Sequence, residues 1–216
     1  MRKGRVFLIA VALLAPAIAS AGTIANTKHD LSATSTAAIK SGSQTDTCVF
    51  CHVSHNSAPG VARPLWSHTL TNQNLTWAPT TTVRGTVLPT SITSAALTGS
   101  RACMSCHDGT VALGDLLNGT GGTVTGPNVT AGKLSGGVNL INPAAMQSNH
   151  PIGVAKPAAA TGFTSFKTVP SSSPVNYDSA GYVQCGSCHN PHDNTFAPFL
   201  KIDPASGAIC TSCHDI

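Results

Sequence analysis

The chain has 216 residues, of which only 5% are aromatic and 9% are charged. So little large apolar surface makes it hard for a chain of this length to offset the entropy lost on folding. The formal charge is +4, but no cluster of Lys and Arg lies beyond the first five residues, which argues against a nucleic-acid-binding protein.

Residues 1–21 have the three parts of a secretory signal peptide. Basic residues in the first five positions precede an apolar run at 6–18, and Ala19-Ser20-Ala21 is typical of a cleavage site. The apolar run, about 13 residues long, is too short to span a membrane. We therefore expect an exported protein whose mature part, residues 22–216, has nine Lys and Arg against eight Asp.

All eight cysteines fall in four copies of the pentapeptide Cys-x-x-Cys-His. The copies consist of Cys48, Cys51 and His52; Cys103, Cys106 and His107; Cys185, Cys188 and His189; and Cys210, Cys213 and His214. Thiols three positions apart lie about one helical turn apart, so both can form thioethers to one porphyrin, and the histidine that follows becomes the proximal iron ligand. The sequence therefore predicts four covalently attached haem c groups, whose apolar surface fills the core.

Two other uses of cysteine explain this pattern less well. A structural zinc site needs two Cys-x-x-Cys pairs to meet, and it does not require a histidine after each pair. A disulfide framework would not place every cysteine three positions from another one.

The four motifs are unevenly spaced, with intervals of 55, 82 and 25 residues between their first cysteines. The last interval makes residues 184–216 a compact two-haem unit within one tetrahaem domain, residues 22–216. No segment keeps a helical period of apolar residues for long, because Pro or Gly interrupts it. We expect a mostly irregular multihaem cytochrome c fold with short helices at the motifs and a few short strands. The candidates for short strands or hairpins, rich in β-branched residues, are 80–88, 122–129 and 137–141.

Five histidines remain once the proximal ligands are assigned, and they are His29, His55, His68, His150 and His192. Four six-coordinate haems need four distal ligands, and beyond the signal only Met104 and Met146 could replace histidine. The sequence therefore predicts mainly bis-His haems of low potential. Closed irons favour electron transfer over catalysis, since a reactive haem keeps an open position.

The local sequence suggests how these histidines are used. His55 and His192 each follow a proximal histidine by three residues, so each is placed to ligate a neighbouring haem. Pro151 fixes the backbone beside His150 and helps to aim its ring. His68 is a further candidate, and His29, on a short N-terminal arm, could serve its own subunit or the next. For His55 and His192 the alternative is a surface or propionate-binding role.

Short segments around these residues resemble the multihaem cytochromes c with paired Cys-x-x-Cys-His motifs. The segments are 28–32, 48–55, 64–66, 106–112, 149–152 and 188–192. Their order and spacing are similar to the extracellular tetrahaem nanowire cytochromes of metal-reducing bacteria, the OmcE type. The resemblance implies a continuous chain of bis-His haems, subunits that assemble end to end, and one distal histidine donated across the interface. Val53-Ser54 departs from the Thr-Pro-like pair that the family often has there.

Two functions therefore compete, and neither is enzymatic. The first is a filament-forming electron conduit, outside the cell or on its surface, with copies of itself and other redox proteins or an extracellular acceptor as partners. The second is a discrete periplasmic tetrahaem electron carrier. The fifth spare histidine favours the filament, because one chain needs only four distal ligands. A small multihaem reductase with one open iron is the alternative from the enzyme class.

Overall fold

The computed structural model describes residues 23–61, 65–82, 86–141, 146, 148–156, 166–170 and 172–215. The expected signal peptide, residues 1–21, lies outside these residues. Most of the described chain is irregular, with short helical turns and two pairs of very short strands. The predicted fold class, a mostly irregular chain with short helices at the motifs and few strands, is confirmed.

Each Cys-x-x-Cys-His motif forms a helical turn. The first contains a 3₁₀ turn at Cys48–Phe50, and the second lies in helix α1 (Arg101–His107). The two cysteines of the third lie in helix α2 (Cys185–Cys188), and the fourth begins in helix α3 (Ala208–Thr211) and continues beyond its end. In the first, third and fourth motifs the N–H of the histidine donates to the carbonyl of the first cysteine, at 2.8, 3.0 and 2.9 Å. Because this bond closes one turn, it holds the two thiols of the motif on one side.

The strands connect distant parts of the chain. Strand β1 (Lys40–Ser41) pairs antiparallel with β2 (Val124–Thr125), which ties the N-terminal segment to the middle of the chain. Strands β3 (Val129–Thr130) and β4 (Lys133–Leu134) form a hairpin. Its two turn residues, Ala131 and Gly132, have φ angles of 50° and 76°, as a type I′ turn requires.

The three predicted strand regions have different outcomes. In 80–88, the N–H of Leu88 donates to the carbonyl of Thr80 at 3.0 Å, so the two arms pair as predicted. The region 122–129 contains β2 and the start of β3. The prediction for 137–141 is wrong, because Gly136–Val138 forms a 3₁₀ turn that Gly136 enters with a φ of 61°.

Two apolar clusters lie in the described part of the chain. The first consists of Leu75, Trp77, Leu88, Ile92, Leu97, Met104 and Met146. The second consists of Phe50, Leu113, Leu116, Val124 and Leu134. Cys51 and Cys106 pack against the second cluster, which therefore borders the first two motifs. In the residues that the structure describes, none of the helices is long and apolar enough to cross a membrane.

Candidate haem-binding sites

None of the eight cysteines forms a disulfide, so every motif keeps both sulfurs for attachment to a porphyrin. Thiols of successive motifs also lie near one another. Burial raises the pKa of Cys106 to about 12, and the nearby Cys51 thiol acts in the same direction. Burial likewise raises the pKa of Cys188, and Cys213 adds to it. The first motif therefore lies beside the second, and the third beside the fourth.

The spacing between histidine rings tests whether an iron fits between them. An imidazole nitrogen binds a transition metal at about 2.0 Å, and the ring centre lies about 1.2 Å behind that nitrogen. Two rings that bind one iron from opposite faces therefore have their centres about 6.4 Å apart.

Three proximal histidines have a second histidine ring at this spacing. The ring centres of His107 and His29 are 6.2 Å apart, with the ring planes at 66°. His52 and His192 are 6.0 Å apart at 15°. The pair in the fourth motif, His214 and His150, has a spacing of 6.2 Å and an angle of 62°. Each pair joins a proximal histidine to one of the spare ones, so three of the four motifs fit a bis-His haem.

Distance alone does not identify such a pair. The ring of Trp66 lies 6.3 Å from that of His52 and 6.2 Å from that of His68, and an indole N–H binds no iron. Trp66 instead donates its Nε1–H to the hydroxyl of Ser105 at 3.0 Å. What distinguishes the three histidine pairs is that both rings can bind iron, and that each pair joins the histidine of a motif to one outside the motifs.

The ring of His29 lies in a site that favours its neutral form. Burial is the main cause that lowers its pKa to about 4, and the His107 ring acts in the same direction, against a backbone contact with Pro191. The ring also stacks on Phe199, with centres 4.3 Å apart and an interplanar angle of 13°. A neutral, oriented imidazole is the form that binds a metal.

Hydrogen bonds to one ring nitrogen orient several of the rings. Nδ1 of His107 lies 3.1 Å from the carbonyl oxygen of Val138, and Nδ1 of His189 lies 2.9 Å from that of Pro198. A carbonyl oxygen only accepts, so in both rings Nδ1 carries the proton. Nε2 therefore keeps the lone pair that a metal needs, which is the usual arrangement around a ligating histidine.

Two spare histidines are not brought against a proximal ring. The ring of His68 is fully buried, with 0% exposed, and neither of its nitrogens has a hydrogen-bond partner in the described residues. His55 is exposed, and Asn118 donates its side-chain N–H to the His55 carbonyl at 2.8 Å. Within the part of the chain that the structure describes, no second histidine ring stands at ligand spacing from His189.

The candidate methionine ligands lie in the first apolar cluster. Met104 is 3% exposed and Met146 is 5% exposed, and both pack among apolar side chains. Neither observation places a thioether opposite a proximal histidine. The ring pairs therefore support histidine as the distal ligand at three motifs.

Sequence reasoning missed several residues around the His29–His107 pair. Asp30 and Asp108 directly follow these histidines, and both carboxylates are buried. Phe199 stacks on His29 from a distant part of the chain, and no local sequence signal indicates this contact. For the aspartates a signal did exist, since each follows a histidine and precedes a Ser or Thr by two positions.

Residues 178–216 match the profile of the family described as the doubled CXXCH motif. This segment contains the third and fourth motifs of the chain, and the match supports a multihaem c-type cytochrome. Its Cys-x-x-Cys-His motifs indicate covalently bound haem c, and membership of such a family suggests an electron carrier rather than an enzyme. None of the curated proteins compared with the chain matches it.

Proposed function

We propose that this protein transfers electrons along four covalently bound haem c groups as the subunit of an extracellular cytochrome filament. The observation that carries the proposal is the pairing of three proximal histidines with three spare ones at 6.0–6.2 Å. When bound, each haem supplies a one-electron centre. Two axial histidines leave no open position on an iron, which favours electron transfer over catalysis.

The positions of the motifs support a continuous path. The thiols of the first and second motifs are neighbours, as are those of the third and fourth. His189 of the third motif lies close enough to His107 to act on the pKa of that ring, which burial lowers. These contacts connect all four motifs, since each one lies near at least one other.

The third motif supports the assembly of several copies of the chain. His189 has no partner ring in its own described chain, and His68 is enclosed where no second molecule reaches it. We therefore assign the distal ligand of His189 to His55 of a neighbouring copy. This assignment revises the expectation that the His29 arm crosses the interface, because the ring of His29 lies against His107 of its own chain.

The surface around His55 suits contact with a second copy. Leu65 and Leu117 are 47% and 39% exposed. The Leu65 carbonyl accepts from Val53, two residues before His55, and Leu117 precedes the asparagine that binds the His55 carbonyl. Burial of these leucines stabilises an interface. A head-to-tail contact between two different surfaces forms a filament when the rotation does not close.

The unpaired His189 also favours a second candidate function. If its iron takes no sixth ligand, the protein resembles a small multihaem reductase with one open site. The two functions differ in spin state, since the filament requires every ferric haem to be low-spin. A high-spin ferric signal from intact filaments would support the reductase.

Electron microscopy of material sheared from expressing cells tests the filament. Filaments whose repeat contains four haems, all low-spin, support the proposal. Monodisperse particles near the monomer mass contradict it and favour a periplasmic carrier. His55→Ala should abolish filaments and turn one haem high-spin, whereas the adjacent exposed change Ser54→Ala should leave both unchanged.

Free imidazole separates the two roles of His55. Added to His55→Ala, it should restore the low-spin spectrum without restoring filaments, because it replaces the ligand but not the link between subunits. If the variant still forms filaments with all haems low-spin, the assignment to His55 is wrong.

A further inference from the structure

Three of the paired histidines begin the same short motif, in which an Asp follows the histidine and a Ser or Thr lies two residues later. The three copies are 29–32, 107–110 and 192–195. In each copy one carboxylate oxygen of the Asp accepts both the N–H and the hydroxyl of the Ser or Thr. The three Asp side chains are therefore fixed by the same turn.

The three copies differ in their access to solvent. Asp108 is 1% exposed and Asp30 is 4% exposed, whereas Asp193 stays partly exposed. The two buried carboxylates follow His107 and His29, whose rings face each other at 6.2 Å. One haem site of the chain therefore has a buried carboxylate next to each of its two axial histidines.

Asp108 is enclosed next to His107 and held by hydroxyl and amide donors. Its side-chain oxygens accept from the hydroxyls of Thr71 and Thr110 and from the Thr110 N–H. Because Asp108 directly follows His107 and is 1% exposed, its side chain is a buried acidic group beside this haem site.

We propose that Asp108, together with Asp30, lowers the reduction potential of the haem at the second motif below those of the other three. This inference rests on the proposed attachment of a haem to Cys103 and Cys106. The ferric iron carries one more positive charge than the ferrous iron, so a nearby negative charge stabilises the ferric form more. Burial withholds the water that would screen this attraction, which makes the effect larger than at a surface.

Spectroelectrochemical titration of the four-haem protein tests the inference. Asp108→Asn keeps the size and most hydrogen bonds of the side chain while removing its charge. Two unit charges up to about 10 Å apart in a protein interact strongly enough to change a reduction equilibrium about tenfold. We therefore expect the lowest of the four midpoint potentials to rise by about 59 mV, the one-electron equivalent of a tenfold change.

The chain supplies matched controls. Asp193→Asn removes the same charge from the same turn at the partly exposed site, and it should leave the lowest potential unchanged. Asp108→Glu restores the charge and should restore that potential. Asp30→Asn removes the second buried charge and should raise the same potential. It tests the effect of a buried carboxylate if Asp108→Asn does not load haem.

Mass spectrometry of each variant separates two kinds of failure. Unsubstituted mature protein without haem on Cys103 and Cys106 contradicts the proposed function itself. Suppose that Asp108→Asn carries four attached low-spin haems and the reduction equilibrium of its lowest-potential haem changes less than twofold. That result contradicts only the role of Asp108. An equal rise of the lowest midpoint potential in Asp193→Asn also contradicts the role of Asp108, because the effect would then not depend on burial.

Discussion

A histidine binds iron through a neutral ring nitrogen, and the surroundings of His29 keep that ring neutral. Burial and the nearby His107 ring lower its pKa to about 4, so at neutral pH almost no proton competes with a metal for the ring. The stack on Phe199 restricts its orientation. Both effects come from the polypeptide alone. The ring of His29 is therefore neutral and oriented, which is the form that binds a metal.

His29→Ala should therefore convert one of the four ferric haems from low-spin to high-spin. The reason is that the His29 ring, 6.2 Å from that of His107, is the distal ligand that we propose for the second motif. Electron paramagnetic resonance of the ferric protein measures the change. Phe199→Leu is the control, since it removes the stacked ring but leaves the ligand, and all haems should stay low-spin. A fully low-spin spectrum in His29→Ala would show that His29 is not an axial ligand.

The sequence predicts candidate proximal ligands from a local motif, whereas the rings that face them depend on the fold. His107 follows two cysteines in a short motif, so its role is a local property. The ring of His29 reaches it across 78 positions, and that of His192 reaches His52 across 140. Such pairings depend on the path of irregular loops, which no periodic pattern encodes. The assignment of His29 to its own chain therefore required the structure.

At the scale of elements, one buried side chain joins the second and third motifs. Gln184 is 3% exposed and immediately precedes helix α2. Its amide oxygen accepts from the hydroxyl of Ser100 at 2.6 Å, next to α1, and its amide N–H groups donate to Ala96 and Asp178. The Ser100 hydroxyl in turn accepts from the N–H of Cys185 at 3.0 Å. These bonds fix the start of α2 against the start of α1.

Gln184→Ala should lower the free energy of unfolding by about 2–4 kcal/mol, because it leaves several buried polar groups without partners. Denaturant unfolding followed by far-UV circular dichroism measures the loss. Gln44→Ala is the matched control, since both side-chain bonds of Gln44 are exposed: it donates to the Thr120 carbonyl at 3.2 Å and accepts from the Asp46 N–H at 2.9 Å. Its loss should cost less than about 1 kcal/mol. Equal losses in the two variants would mean that Gln184 does not join the motifs.

The elements that the sequence predicted are those with local causes. A turn at each Cys-x-x-Cys-His motif follows from the i, i+3 spacing, and all four form. Strand β1 was not predicted, because its partner β2 lies more than 80 residues away and the pairing involves only two residues on each side. The β-branched content of 137–141 was misleading, since Gly136 and Gly137 turn the chain there.

At the scale of the whole molecule, the polypeptide buries little apolar surface of its own. The described residues contain two apolar clusters with seven and five buried members. The free energy gained by burying apolar clusters of this size rarely exceeds the cost of the conformational entropy that a chain of about 200 residues loses on folding. Four porphyrins would add apolar surface that the side chains do not provide. The stability of the fold should therefore depend on the haems.

Expression of residues 22–216 without the proposed signal peptide, residues 1–21, tests this dependence, because the chain should then stay where haem c is not attached. We expect this apoprotein to lack a cooperative thermal transition and to be digested rapidly by protease, while the exported haem protein resists. Differential scanning calorimetry and limited proteolysis of both forms measure the difference. The identical mature sequence serves as its own control, so the attached haems are the only variable. A sharp calorimetric transition in the apoprotein would show that the two apolar clusters suffice to fold the chain.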